Sequence, residues 1–476
     1  MVRKGMQGGL RDRKIRRFDR CCKKDKQRWK RMVSITAFGG IDEIGGNKFL
    51  IEDKHSRIFV DFGQSFTMLD EYFVPEAYLQ PRERFGLRDY FAFDLIPKLK
   101  GLYSKEAIEK TDLGYSPPEY DGVLISHAHF DHIEHLKYLH PDIPVYMGEA
   151  TKLIIESTQE TSYNCVKYIT KDNKVNTFRT GKHFAIGDFV VHPIHVDHSV
   201  PGAYGFIIET SDGNIVYSGD IRKHGPRADM TEDFLKKAAE FDPLLFIVEG
   251  TRVNASETRK NHTESYVQEE CQRIASEKKD FILAMRYPKD IDRFRTFYSV
   301  AKATGKELVI TMKTAHLLLS LKNDPIGLPS PYNDPAIKIY GREKKVYKPW
   351  ELELLPKCVD SKYLYKNKEN IILELEFSQL PELIDIQPKS GDCIHSMSEP
   401  FEEDPLSQIS DDVLRRWAKK FNLNYHQLHA SGHASMAEIF SFIDQINAEY
   451  VMPVHTTGAD LFKGDNIIKA RRGEKI

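Results

Sequence analysis

The segment 126–132 reads Ser-His-Ala-His-Phe-Asp-His and follows the apolar run 122–125, which predicts a strand. Because side chains alternate along a strand, its first two histidines point to the same side, and its last two residues can turn back toward them as a helix begins. Imidazole and carboxylate groups bind zinc while leaving positions open for water. This spacing predicts a catalytic metal site whose candidate ligands are His127, His129, Asp131 and His132.

A pair of metal ions needs further ligands from elsewhere in the chain. Three candidates, His198, Asp220 and His455, each follow a predicted strand, which is where sheets commonly present functional groups. Any one of them alone is more often a surface residue than a ligand. Their presence together with the segment 126–132 favours the interpretation as ligands.

Short apolar runs rich in Val, Ile and Phe recur between about residues 33 and 251 and predict strands. The predicted strands are 34–38, 47–52, 57–61, 122–126, 189–196, 204–209, 214–218 and 245–249. Residues 64–121 interrupt this series with aromatic, charged and proline residues, which predicts an elaborated insertion beside the site.

Beyond residue 251 the pattern changes to strand alternating with helix. The strand 281–285, the helix 290–304 and the strand 307–311 follow one another in this way, which favours a βαβ domain with a parallel sheet. The Met and aromatic residues of 281–298 fit packing within these elements, so no base-stacking surface is predicted there. Residues 323–370, rich in Pro, Lys and Tyr, give no clear assignment.

Composition narrows the class of protein. Apolar residues make up 41% and charged residues 29%, as in soluble globular proteins, and no stretch approaches the ~20 apolar residues that span a bilayer. The six cysteines form no C-x-x-C pair, so neither a disulfide framework nor a thiolate zinc site is predicted, and a cytoplasmic location is expected. Residues 1–32 hold 14 Lys and Arg against three Asp and predict a disordered basic arm.

Seven motifs give the sequence a family resemblance. The segments 60–63, 127–132, 198–201 and 218–220 resemble motifs one to four of the metallo-β-lactamase superfamily. The segments 248–251, 429–435 and 452–456 resemble motifs A, B and C of its β-CASP branch. Motif B, with the segment 394–400 upstream, is most similar to the ribonuclease J-like, RNA-metabolising members.

The resemblance implies a fold and a domain organisation. It implies a four-layered αββα metallo-β-lactamase sandwich with an inserted α/β β-CASP cap domain, and an active site in the cleft between them. The expected division is a basic disordered arm at 1–32, the first part of the metallo-β-lactamase domain at 33–250, the cap at 251–424 and the C-terminal part of the metallo-β-lactamase domain at 425–476.

The resemblance also implies roles for particular residues. It assigns one zinc ion to His127, His129 and His198. It assigns the other to Asp131, His132 and His455, with Asp220 bridging the two. It makes Asp61 an orienting carboxylate, His433 a group that acts on the scissile phosphate, and Glu249 the support of His433. A phosphate-binding pocket is expected around Ser431, His433 and Ser435.

The function implied is zinc-dependent hydrolysis of RNA by a two-metal mechanism, in the manner of a 5′→3′ exonuclease, with manganese or iron as alternative metals. The alternatives are an RNA endonuclease of the cleavage-and-polyadenylation type, a single-stranded DNA nuclease, a small-molecule metallohydrolase and a catalytically inactive RNA-processing scaffold. RNA is the expected partner and no membrane is expected. A homo-oligomer and an RNA-processing complex both stay open.

Overall fold

A computed structural model describes residues 33–74, 78–163, 166–277, 280–400 and 405–476. The predicted basic arm at 1–32 lies outside these residues. The described part of the chain contains three large β-sheets, two of six strands and one of seven. None of the described helices combines the length and the apolar character needed to cross a membrane.

The first sheet has its six strands in chain order. They are β1 (Ser34–Gly39), β2 (Lys48–Asp53), β3 (Ser56–Val60), β4 (Gly122–Ile125), β5 (Val145–Gly148) and β6 (Val175–Phe178). Strands β1 to β3 pair antiparallel, whereas β3 to β6 pair parallel. The pairing therefore changes from antiparallel to parallel at β3, and residues 64–121 fill the connection from β3 to β4.

The second sheet has the strand order β19-β11-β10-β9-β8-β7. Its strands are β7 (Phe184–Ile186), β8 (Phe189–His195), β9 (Tyr204–Glu209), β10 (Asn214–Tyr217), β11 (Leu245–Glu249) and β19 (Tyr450–Val454). Strand β19 pairs parallel with β11, with Tyr450 opposite Leu245 and Val454 opposite Glu249. A segment near the C-terminus therefore completes a sheet whose other strands lie before residue 250.

Two sheets and two helical layers form a sandwich. Between the sheets lie apolar side chains from both, including Phe49 and Val60 from one and Phe206 and Ile247 from the other, all almost fully buried. The outer face of the second sheet packs against Ala228–Glu240 and Met436–Ile446. The outer face of the first is covered by Phe66–Tyr72, Arg88–Ala92, Lys105–Ile108 and Glu149–Thr161. The expected αββα architecture is confirmed.

The third sheet is entirely parallel, with the strand order β15-β14-β13-β16-β12-β17-β18. Its strands are β12 (Phe281–Met285), β13 (Glu307–Thr311), β14 (Ile337–Tyr340), β15 (Cys358–Val359), β16 (Ile371–Glu374), β17 (Gly391–His395) and β18 (Leu423–Gln427). It confirms the expected inserted α/β cap. The predicted cap boundary at 424 falls inside β18, so the sheet continues to Gln427.

Helices cover both faces of the cap sheet. One face packs against Glu264–Glu277, Ile291–Thr304 and Met312–Ser320. The other packs against Ser361–Asn367, Glu382–Ile386 and Pro405–Lys420, while Pro349–Leu354 adds a further short helix. Because the central strands β12 and β16 are covered on both sides, they read in the sequence as nearly continuous apolar runs, as expected of a parallel sheet.

Candidate metal centre

The predicted metal ligands lie on loops that leave strands of the two sandwiched sheets. His127 and His129 follow β4, and the short helix Phe130–Ile133 carries the next two candidates of that segment. The remaining candidates follow the second sheet, on the loops after β8, β10 and β19. The structure brings all seven candidate ligands, His127, His129, Asp131, His132, His198, Asp220 and His455, into two adjoining groups.

The first group consists of His127, His129, His198 and Asp220, whose candidate ligand atoms all lie within 4.8 Å of one another. His129 Nδ1 lies 3.1 Å from His127 Nε2 and 3.0 Å from His198 Nε2. Burial lowers the pKa of all three imidazoles, and the neighbouring imidazoles add to the effect. Neutral imidazoles offer nitrogen lone pairs, so this group has the protonation state that a metal ion requires.

The second group consists of Asp131, His132, Asp220 and His455, again within 4.8 Å. His455 Nε2 lies 2.8 Å from Asp131 Oδ2, and His132 Nε2 lies 3.3 Å from Asp220 Oδ1. Burial alone would lower the pKa of His455, but Asp220 and Asp131 raise it to about 9. Protons and a cation therefore compete for the same nitrogen atoms in this group.

Asp220 belongs to both groups. Its Oδ2 lies 3.3 Å from His127 Nε2 and its Oδ1 faces His132. The side chain is buried, and Oδ1 has no hydrogen-bond donor among the described residues. A buried carboxylate oxygen without a donor is costly unless a cation neutralises it. The donor set of imidazoles and carboxylates, with this oxygen between its halves, fits a pair of cations.

Asp61 orients the candidate ligand His132 through the ring nitrogen that faces away from the centre. The carboxylate lies 2.7 Å from His132 Nδ1 and accepts hydrogen bonds from the Ser126 backbone N–H, the Ser126 hydroxyl and the Tyr217 hydroxyl. When His132 Nδ1 donates to Asp61, its Nε2 presents a lone pair, which faces Asp220 and lies 3.2 Å from Asn47 Nδ2. Asp61 also adopts a positive φ of 56°, which turns the chain sharply after β3. The sequence indicated Asp61 but not Ser126 or Tyr217.

Two further ligands are oriented by contacts that the sequence did not reveal. His198 Nδ1 donates to the Gly432 carbonyl at 2.6 Å, which leaves Nε2 toward the centre. Thr251 Oγ1 lies 2.8 Å from His455 Nδ1 and 2.7 Å from a carboxylate oxygen of Glu249. Thr251 can therefore accept from the histidine while it donates to Glu249. Thr251 lies inside motif A and Gly432 inside motif B, so these motifs were the only sequence signal for the two contacts.

His433 lies beside the carboxylates of Asp220 and Glu249. Its Nδ1 lies 3.0 Å from Glu249 Oε2, and its Nε2 lies 3.9 Å from Asp220 Oδ2. Burial alone would lower the pKa of His433, but Glu249 and Asp220 raise it. Glu249 in turn accepts from the Ile221 backbone N–H at 2.8 Å. Asp220, Glu249 and His433 also form a third group of metal-binding geometry, so a proton and a metal are the two candidates for this position.

The two predicted phosphate-binding serines have different environments. Ser431 Oγ accepts from the His433 backbone N–H at 3.1 Å. Ser435 is the N-cap of the helix Met436–Ile446, where its hydroxyl donates to Glu438 Oε2 at 2.7 Å. Their phosphate-binding role stays a prediction. The Ser435 hydroxyl already serves the helix cap.

Comparison with known proteins agrees with this architecture. Residues 94–276 match the Beta-lactamase superfamily domain, and residues 420–461 match the Zn-dependent metallo-hydrolase RNA specificity domain. A crystal structure of a protein of unknown function from Enterococcus faecalis V583 covers 94% of this chain and 99% of its own, with a TM-score of 0.74 and 24% identity. The structural match shows the fold.

Several curated relatives carry the name ribonuclease J. The protein from Mycoplasma genitalium is 25% identical over 438 residues, which cover 90% of this chain and 68% of the relative. The protein from Helicobacter pylori strain J99 is 23% identical, with coverage of 90% and 56%. The protein from Pyrococcus abyssi is 22% identical, with coverage of 89% and 90%.

The sandwich fold and the paired ligand groups define a metal-dependent hydrolase of the metallo-β-lactamase type. The inserted cap, motifs A to C and the relatives named ribonuclease J support a resemblance to the ribonuclease J-like nucleases of the β-CASP branch.

Replacing Asp61 tests the orienting role of its carboxylate. We expect Asp61→Asn to fold, because Asn tolerates a positive φ, but to bind metal roughly 10- to 100-fold more weakly, since His132 loses its charged partner. Metal content after dialysis against graded chelator measures the affinity. Asp53→Asn is the matched control, because Asp53 is equally buried but bonds only Ser211 N and Oγ among the contacts identified. Unchanged affinity in Asp61→Asn would contradict the role.

Proposed function

We propose that this protein is a zinc-dependent ribonuclease that hydrolyses RNA phosphodiester bonds with two metal ions and removes nucleotides from the 5′ end. The observation that carries the proposal is the position of Asp220 between two complete ligand groups, with the His433–Glu249 pair beside them. A closed structural zinc site would need neither the second group nor the adjacent acid–base pair.

Two groups of side chains would hold the ions. His127, His129 and His198 would bind one, and Asp131, His132 and His455 would bind the other, with Asp220 shared between them. When bound, the ions would supply positive charge that offsets the phosphodiester's negative charge, and they would lower the pKa of the attacking water. We propose zinc as the metal. Manganese and iron also bind imidazole and carboxylate ligands, so they are the alternative metals for this site.

His433 has a position that suits a general acid. Glu249 accepts from Nδ1 and raises the pKa of the ring, which favours a protonated imidazole whose Nε2 faces Asp220. That proton would pass to the leaving oxygen as the phosphodiester bond breaks. Glu249 itself is fixed by Ile221 N and Thr251, which keeps the pair aligned.

RNA is the proposed substrate on three grounds. The Zn-dependent metallo-hydrolase RNA specificity match spans 420–461 and so includes His433 and His455. Relatives named ribonuclease J align over about 90% of the chain. The loop that carries Ser431 and His433 also carries His429, whose Nε2 lies 3.5 Å from Ser398 Oγ. This contact joins motif B to the segment 394–400, and both segments resemble those of the RNA-metabolising members.

A panel of three RNAs of one sequence tests the proposed activity: linear with a 5′ monophosphate, linear with a 5′ triphosphate, and circular. We expect the monophosphorylated RNA to be shortened from its 5′ end, the triphosphorylated RNA to react more slowly and the circle to persist. Cleavage of the circular RNA would indicate an endonuclease instead of an exonuclease.

Replacing Asp131 tests the second ligand group. Asp131→Ala should lower turnover at least ~100-fold, because one ligand group is then incomplete. Full activity of this variant would contradict the two-metal assignment.

Replacing His433 separates proton donation from metal binding. We expect His433→Ala to keep both metals and to lower kcat by roughly 100- to 10,000-fold, the usual range for loss of a general acid. His192→Ala is the control. His192 Nε2 lies 2.6 Å from Glu209 Oε1, and neither residue belongs to the ligand groups. Zinc content and kcat should be measured on the same preparations. Loss of zinc in proportion to activity would make His433 a ligand instead.

A further inference from the structure

An exposed aromatic ring lies on the cap beside the motif B loop. Tyr287 follows β12 and is 41% exposed, and its ring centroid is 6.3 Å from that of His429, in an edge-to-face arrangement. The sequence pattern predicted packing for the aromatic residues of 281–298. Phe294 and Phe297 are buried as that pattern requires, whereas Tyr287 is not.

The loop that carries Tyr287 is held from inside the cap. The buried guanidinium of Arg286 donates to the carbonyl oxygens of Tyr287, Pro288 and Asp290 at 3.0, 3.1 and 3.1 Å. Its other nitrogens bond Glu374 Oε2 at 3.0 and 2.7 Å. Three carbonyls bonded to one buried side chain fix the backbone of this loop. Tyr287 is therefore exposed on a rigid support.

The same loop is tied to the metal centre. Lys289 Nζ donates to the Ala128 carbonyl at 2.8 Å, and Ala128 lies between the candidate ligands His127 and His129. The loop thus spans from the motif B loop, at Tyr287, to the ligand loop, at Lys289. Tyr287 therefore lies on a loop that contacts both the motif B loop and the loop of the candidate ligands.

We propose that Tyr287 is a stacking surface for a nucleobase, namely the base of the 5′-terminal nucleotide of the RNA substrate. The inference rests on the proposed function and adds a base-binding subsite to it. An exposed aromatic ring on a fixed loop is the feature that single-stranded nucleic-acid sites use to hold bases, and it tolerates any base because every base has a π-face. The subsite therefore adds affinity at the 5′ end without sequence preference.

Abasic substrates test the stacking directly. We measure kcat/KM for 5′-monophosphorylated RNAs that are intact or abasic at the first, second or third nucleotide, with wild-type protein and Tyr287→Ala. Tyr287→Ala should lower kcat/KM for intact RNA roughly 5- to 100-fold, the range for loss of one base–aromatic stack. Removing the first base should cost the wild type a similar factor and cost Tyr287→Ala almost nothing, because the partner is already gone.

Two further variants separate stacking from a structural role of the side chain. Tyr287→Phe keeps the ring and should stay within about three-fold of wild type. Tyr365→Ala removes a ring of similar exposure, 47%, from the far face of the cap and should change nothing. A purely structural role for Tyr287 would lower cleavage of intact and abasic RNA alike. That result would overturn the inference but not the proposed function. The same holds if the losses in kcat/KM from Tyr287→Ala and from each abasic position simply add at all three nucleotides. If the wild-type protein cleaves no RNA, the proposed function fails together with it.

Discussion

The carboxylate of Asp220 is buried between two groups of imidazoles, and much of the surrounding structure compensates for its charge. Burial alone would raise its pKa, but His132 and His455 hold that pKa well below its usual range. Placing an ionised carboxylate in the interior costs several kcal/mol unless positive charge lies close by. The imidazoles on the loops after β4 and β19 supply that compensation, so ligands far apart in sequence converge on Asp220.

The cap is joined to this centre through a second set of buried charges. Arg222 bonds the Ser431 carbonyl at 3.0 Å and pairs with Asp197, Glu264 and Asp292. Arg293 also pairs with Glu264, at Oε1 (3.1 Å) and Oε2 (3.3 Å), and bonds the Ser396 carbonyl at 2.9 Å. Buried ion pairs give little net stability, but breaking one leaves an uncompensated charge, so they favour a single arrangement. That arrangement fixes the motif B loop, and with it His433, against the metal centre.

Much of the sandwich could be predicted from the sequence, because its strands are apolar runs of the expected length. In the cap, strands β14 and β15 were not predicted, because they lie in the polar segment 323–370. They depend on pairing within the sheet, β14 with β13 and β15 with β14. The ligands could be predicted as candidates from their positions after strands. Their supports could not, because Tyr217 reaches Asp61 only after β3 and β10 face each other across the sandwich. Tyr287 was missed for a related reason, since its exposure depends on the loop that Arg286 holds.

The central claim is that two cations share Asp220, and X-ray anomalous diffraction at the zinc edge tests it most directly. Crystals of the zinc-loaded protein should give two anomalous peaks, one among His127, His129 and His198 and the other among Asp131, His132 and His455, with Asp220 contacting both. A single peak, or a peak bound directly by His433 and Glu249, would contradict the account.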